Sequence, residues 1–190
     1  MKKTISLSLL LLSSTLTQAD IIGAKAGVDY WHTKDHGKAG SAYVQIEHPV
    51  PLVPNVALRA ITVEGEGEAD SLNNVDAYGY YEILDNDLVS MDLGAGLHNI
   101  SGSRHYNETL PMAVADAEWF PGSQISYYSK LNYAKNADAT VTDISAGARF
   151  QLLSAIYLQA GYRHYEMETD NAGGHSDTIK GLTAGLHIDM

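Results

Sequence analysis

The stretch YYEILDNDLVSMDLGAGLHNI, residues 80–100, carries two runs that alternate apolar and polar side chains around a hinge at LDND (84–87). Tyr81 and Ile83 before the hinge, and Val89, Met91, Leu93, Ala95 and Leu97 after it, form one series. Tyr80, Glu82, Leu88, Ser90, Asp92, Gly94, Gly96 and His98 lie between them. Successive side chains of a strand point to opposite sides, so a period of two predicts a β-hairpin with one oily face and one face of charges, tyrosines and glycines. Whether the oily face looks at a core or at lipid decides the fold.

The same alternation continues on both sides of the hairpin and predicts ten strands. Ile22, Ala24, Ala26, Val28 and Tyr30 oppose Gly23, Lys25, Gly27 and Asp29; Ala42, Val44 and Ile46 oppose Tyr43, Gln45 and Glu47. The third strand, near 56–64, is untidy, because Ile61 and Val63 share the parity of Arg59. Beyond the hairpin, Ala113, Ala115, Ala117 and Trp119 oppose Asp116 and Glu118; Ile125, Tyr127, Leu131 and Tyr133 oppose Tyr128, Lys130 and Asn132. Ile144, Ala146, Ala148 and Phe150 oppose Asp143, Gly147 and Arg149; Ile156, Leu158, Ala160 and Tyr162 oppose Gln159, Gly161, Arg163 and Tyr165. The last strand sets Leu182, Ala184, Leu186 and Ile188 against Gly181, Thr183, Gly185 and His187.

Four features bear on orientation. The strands have the length of ~9–11 residues that a tilted bilayer crossing needs. Short connections (49–55, 84–87, 120–123, 152–155) alternate with longer polar ones (32–40, 65–73, 99–110, 135–140, 168–176), as in outer-membrane barrels. Glycines gather on the charged face, where a narrow interior has little room. Aromatic residues gather at strand ends, Tyr30, Trp31 and Tyr133 toward the loops and Trp119, Phe120 and Phe150 toward the turns, as two interfacial girdles would. These features turn the oily face toward lipid. A soluble lipocalin-like barrel, with Val89, Met91 and Leu93 in one core and Asp92 in water, is the opposite arrangement.

The beginning of the chain agrees with export. Residues 1–19, MKKTISLSLLLLSSTLTQA, read as a signal peptide with a basic start at Lys2 and Lys3, an apolar segment Ile5–Leu12 and a cleavage site before Asp20, leaving 20–190 as a single barrel domain. Loss of Lys2 and Lys3 takes the formal charge from −11 to −13, which disfavours nucleic acid as a partner. There is no cysteine, so an exported protein must hold together without disulfides.

VDYWHT (28–33), PNVALR (54–59), YYEILDN (80–86) with DLGAGL (92–97), AEWFPGS (117–123) and AGYRHYEMETD (160–170) resemble a family of small outer-membrane β-barrel proteins from marine Gram-negative proteobacteria. That family has no assigned activity, so the resemblance implies a location and a fold and brings no catalytic residue. The C-terminus also resembles the assembly signal of outer-membrane barrels, with Thr183, Gly185, Ile188 and Met190 at its positions and Met190 where an aromatic residue is usual.

Chemistry, if any, belongs to the inward face or to the loop rim. Lys25, Arg59, Lys130, Arg149 and Arg163 interleave there with Asp29, Glu47, Glu82, Asp92, Asp116, Glu118 and Asp143. In a barrel little wider than the ~8-strand case, such charges predict a salt-bridged plug; the excess of carboxylates leaves a narrow cation-preferring passage as the alternative. The acidic run Glu64–Asp70 is read as a solvated loop, not a Ca²⁺ site, and His32 with His36 around Asp35 has metal spacing only on a helix. His175-Ser176-Asp177 tempts a hydrolase reading, but neighbours on a strand point apart; His105, His164, Glu166 and Asp170 could meet only near the rim.

The sequence therefore predicts an all-β, antiparallel up-and-down transmembrane barrel of ten strands, eight being the alternative. The role expected is a non-enzymatic envelope protein, with outer-membrane lipid, lipopolysaccharide and the barrel assembly machinery as partners. It predicts no cofactor, metal or catalytic residue. A narrow pore and a rim-located lipid A or peptide hydrolase are the competing functions.

Overall fold

The computed structural model describes residues 22–34, 36–50, 52–65, 71–101, 107–170 and 174–190. The signal-peptide reading (1–19), Asp35, residues 66–70 of the acidic run and His105 lie outside them. The described residues form ten strands: β1 (Gly23–Thr33), β2 (Lys38–Glu47), β3 (Asn55–Val63), β4 (Leu72–Asp85), β5 (Val89–Ser101), β6 (Thr109–Trp119), β7 (Ile125–Lys135), β8 (Ala139–Leu153), β9 (Ile156–Thr169) and β10 (His175–Asp189). Each pairs antiparallel with its neighbours in sequence, and β1 pairs with β10 to close the barrel. The strand count is ten, not eight.

The connections follow from local chemistry. At the hinge of the 80–100 hairpin, Asn86 Oδ1 accepts hydrogen bonds from the backbone N–H groups of Leu88 (2.9 Å) and Val89 (3.1 Å), a side chain standing in for a backbone turn. Asn136 does the same at the other end of the barrel, for Asp138 and Ala139. In the β6–β7 turn Gly122 takes φ +72°, the left-handed region where a Cβ is unwelcome. The seam is fastened at its turn end by reciprocal 2.9 Å bonds between the backbones of Ala24 and Met190.

The oily face of the opening stretch is outside. Met91, Leu93 and Leu97 are exposed, while Asp92, Gly94 and His98 face the lumen. The soluble, inside-out arrangement is thereby overturned. Leu58, Val75, Ile144, Leu158, Leu182 and many similar side chains complete an apolar belt around the barrel.

The alternation then inverts toward the long loops. On the outside the belt gives way to His32, Thr62, Asn73, Asn99, Thr142, His164 and Lys180, while the inside positions become apolar: Ile61, Val63, Leu72, Ile100, Leu110, Met167 and Ile179 are all buried. This explains the untidy third strand. Ile61 and Val63 share the parity of Arg59 because all three point inward, the arginine into a polar lumen and the other two into an apolar cap beneath the loops.

Candidate functional site

Among the described residues the lumen gathers a dense set of polar side chains, and most of them pair with one another. Directly beneath the apolar cap, Arg163 grips Asp143 through two bonds (Nε to Oδ1, 2.8 Å; Nη2 to Oδ2, 2.6 Å). Arg59 bridges the same carboxylate (2.8 Å) to Asp76 (Nε to Oδ2, 2.6 Å), and the second oxygen of Asp76 is held by His98 Nδ1. Asp76 is 0% and His98 1% exposed. Asn74 donates to the Tyr165 hydroxyl beside them (2.8 Å). Two guanidiniums and two carboxylates thus form a nearly dry chain across the barrel, a geometry in which mutual attraction offsets desolvation only if each lone pair finds a donor.

Nearer the turns a second set repeats the pattern. Gln159 donates to Asp29 (2.6 Å), Arg149 pairs with Glu118, Ser126 donates to Glu118 (2.7 Å), Lys130 pairs with Asp116 (2.9 Å) and Lys25 with Glu47 (2.6 Å). Tyr43 and His187 share a 2.6 Å hydrogen bond. The guanidinium of Arg149 lies over the Tyr128 ring and that of Arg163 over the Trp31 ring, 4.9 and 5.1 Å from the centroids.

Glycine makes room for this filling. A Cβ on Gly27 would strike the Tyr43 ring at 2.5 Å, and one on Gly161 the Tyr128 hydroxyl at 2.6 Å. What remains open is small. A cavity of about 30 Å³ lies among Lys25, Asp92, Asp116, Lys130 and His187, and one of about 40 Å³ among Asp29, Tyr43, Arg59 and Gln159. Each has space for a few waters. The Oδ1 atoms of Asp92 and Asp116, directly opposed across β5 and β6, are buried without a hydrogen-bond partner among the described residues.

One sequence expectation needs correction. Trp31, placed in the loop-side girdle, is 0% exposed inside the barrel. It shares the odd parity of Lys25, Gly27 and Asp29, and its ring covers Arg163, so its alternation was a better guide than its aromatic character. Glu82, expected among the lumen charges, keeps its register opposite Asp92 and lies beside Glu47, but at the turn-side mouth, where it is exposed just before the register shift of β4. The other predicted lumen charges, Lys25, Asp29, Glu47, Arg59, Asp92, Asp116, Glu118, Lys130, Asp143, Arg149 and Arg163, are buried or half-buried on the inside. Tyr30, Trp119, Phe120, Tyr133 and Phe150 are exposed on the outside. Thr183 and Gly185 face the lumen, and Ile188 and Met190 end the closing strand. His98, Asp76 and Gln159, central to the network, lie on the polar face that the alternation predicts, though they were not singled out as lumen charges; Asn74, two residues before Asp76, shares that face.

The rim does not assemble a hydrolytic site among the described residues. His164 and Glu166 sit side by side on the outer face of β9, 3.8 Å apart. Ser176 and Asp177 follow one another along extended β10, which sends them to opposite sides, and Asp177 reaches His36 (3.4 Å) instead. His32 is exposed outside while His36 is buried under the loops. No group of three or more His, Cys, Asp or Glu side chains suited to a metal ion occurs among the described residues.

No protein-family model matches the chain, and no curated protein matches its sequence. Among solved structures it is similar to Neisserial surface protein A (NspA), at 15% identity over 90% of this chain and 99% of that one, with a TM-score of 0.40. It is similar to the KdgM porin in complex with disordered oligogalacturonate, at 9% identity over 85% and 98% of the two chains, TM-score 0.41. OmpTdeltaL8, a loop-deletion mutant of the outer membrane protein OmpT of Vibrio cholerae, aligns at 9% identity over 90% and 99%, TM-score 0.27. Likenesses of this strength assign no ligand or activity to this chain.

Proposed function

We propose that this chain is an outer-membrane β-barrel of a Gram-negative envelope, exported by a cleaved signal peptide, with a structural or interactive role and no enzymatic one. One observation carries the reading: an apolar belt surrounds a lumen whose cations each pair with a carboxylate. Apolar surface on this scale in water would be a severe aggregation liability; in a bilayer it is solvated. From Val75 to Ile83, at ~3.3 Å per residue and a tilt of ~40°, the belt covers roughly 20 Å, close to the ~25 Å band of such barrels. With the short turns in the periplasm, both termini lie there and the capped end faces outward. The closing strand that carries Thr183, Gly185, Ile188 and Met190 is then the segment offered to the assembly machinery.

The test is fractionation with heat-modifiability. The full chain is expressed in a Gram-negative host, and its outer membranes are run on a gel with and without boiling. Recovery there with a boiling-dependent shift is the expected result; recovery as soluble periplasmic protein without a shift rules the reading out.

A further inference from the structure

The described cations of this barrel fall into two populations. Lys25, Arg59, Lys130, Arg149 and Arg163, inside, each have a carboxylate partner. Lys34, Lys38, Lys135 and Lys180, outside, have none within 4.0 Å among the described residues. Lys135 stands alone on β7. The other three lie together: Lys34 follows β1 directly, Lys38 opens β2 and Lys180 is on β10, and these strands are neighbours around the wall.

Register sets their height. His32 pairs across to Lys38, Thr33 to Gly181, and His164 to Lys180, so the three lysines and the two imidazoles form one patch. The patch stands immediately above the belt, over the exposed Tyr30, Leu182 and Tyr162. Among the described residues its acidic neighbours are Glu64, whose backbone pairs with that of Lys38 (2.8 Å), Glu166 beside His164, Glu168 further along the outer face of β9, and Asp177, which is held by His36. Below Lys38 the outer face of β2 narrows to Gly40 and Ala42, and with Ala60 opposite they open a groove. It is shallow and open: its upper part is lined by Ala42, Val44, Leu58, Ala60 and Val75, and its lower part runs on past Ile46, Val56, Ala77 and Gly79.

We infer that Lys34, Lys38 and Lys180 bind the phosphate of a lipid headgroup in the outer leaflet, with an acyl chain of that lipid lying in the β2–β4 groove. The inference rests on the outer-membrane reading above. A chain that carries a formal charge of −11 repels free anions at long range, so lysines clustered on it make a poor trap for dissolved phosphate. A lipid anion escapes that penalty because its acyl chains already hold it at the height of the patch. Each lysine near a bilayer surface then adds a factor of roughly five in affinity.

The test uses the whole barrel reconstituted in vesicles of zwitterionic phospholipid containing a small fraction of diphosphoryl lipid A or of its dephosphorylated form. Retained lipid is counted by native mass spectrometry after detergent extraction. The wild-type protein is expected to retain the diphosphoryl form preferentially. The combined variant Lys34→Gln, Lys38→Gln, Lys180→Gln should lose that preference by about tenfold or more while keeping its heat-shifted band. Lys135→Gln should keep the preference, and millimolar inorganic phosphate should not displace the lipid. An unchanged preference in the combined variant overturns the site. So does an equal loss in Lys135→Gln, which would make the effect one of diffuse charge. Displacement by inorganic phosphate overturns the lipid as its source. Failure of the wild-type barrel to enter vesicles overturns the membrane reading, and the site with it; insertion without preference overturns the site alone.

Discussion

Asp143 stands between two guanidiniums, and that position makes it the residue on which the lumen most depends. Arg163 engages both of its oxygens and Arg59 one of them, inside a barrel where the carboxylate is 1% exposed. Asp143→Asn leaves the arginines facing each other with one carboxylate fewer. Breaking a buried pair costs about 3–5 kcal/mol, so the midpoint of urea unfolding in detergent is expected to fall markedly, while Asp138→Asn in a loop should leave it unchanged. The glycines give a second contrast. On Gly96 a Cβ would come within 2.2 Å of the Ala77 carbonyl oxygen and 2.5 Å of the Tyr78 Cα, both backbone atoms that cannot move aside. Gly96→Ala is therefore expected to weaken the β4–β5 pairing, read as a lower temperature for loss of the heat-shifted band. Gly122→Ala meets nothing within 4 Å and bears only the roughly 1–2 kcal/mol of its left-handed backbone.

Single strands carry both environments. On the outer face of β3, Leu58 lies in the belt and Thr62 above it, four residues apart and both exposed. In water an arginine at either place would be harmless. In a bilayer Leu58→Arg is expected to cost about 2–4 kcal/mol and Thr62→Arg about 0–1, a gap that equilibrium unfolding from vesicles measures. Equal, negligible effects would be the signature of a soluble barrel. The inversion within β3 also shows what was legible. The strand could be recognised, and its departure from simple alternation at Ile61 and Val63 could be noticed. That the departure marks an apolar cap required the neighbouring strands, because only their register brings Leu72, Ile100 and Met167 to the same height.

For the molecule as a whole, the cap and the ion-paired lumen in series predict a closed barrel. In planar bilayers the protein is expected to give no discrete conductance steps. Steps that vanish when Asp92 is neutralised would instead establish the cation-preferring passage. Lumen cavities of about 30 and 40 Å³ admit waters but give no continuous path among the described residues; of the carboxylates in excess of the cations, Asp29 accepts from Gln159, while Asp92 Oδ1 borders the smaller cavity.

The sequence alone determined the strands, their antiparallel succession, the two unlike ends and the partition of most side chains between faces. All of these follow from a period of two and from turn chemistry, which are local. Strand length, the unlike loops, glycine placement and aromatic girdles turned the oily face outward, where the structure has it; the sequence did not determine which charges pair. Trp31 marks its limit: aromatic character suggested an interface where the fold buries a ring over Arg163. Closure of β1 on β10 decided these matters. Only a closed wall places Arg59 of β3, Asp143 of β8 and Arg163 of β9 within bonding distance, and only it sets Lys180 beside Lys34 and Lys38 from the opposite end of the chain. Contacts across a barrel depend on circumference and register, which no stretch of one strand contains.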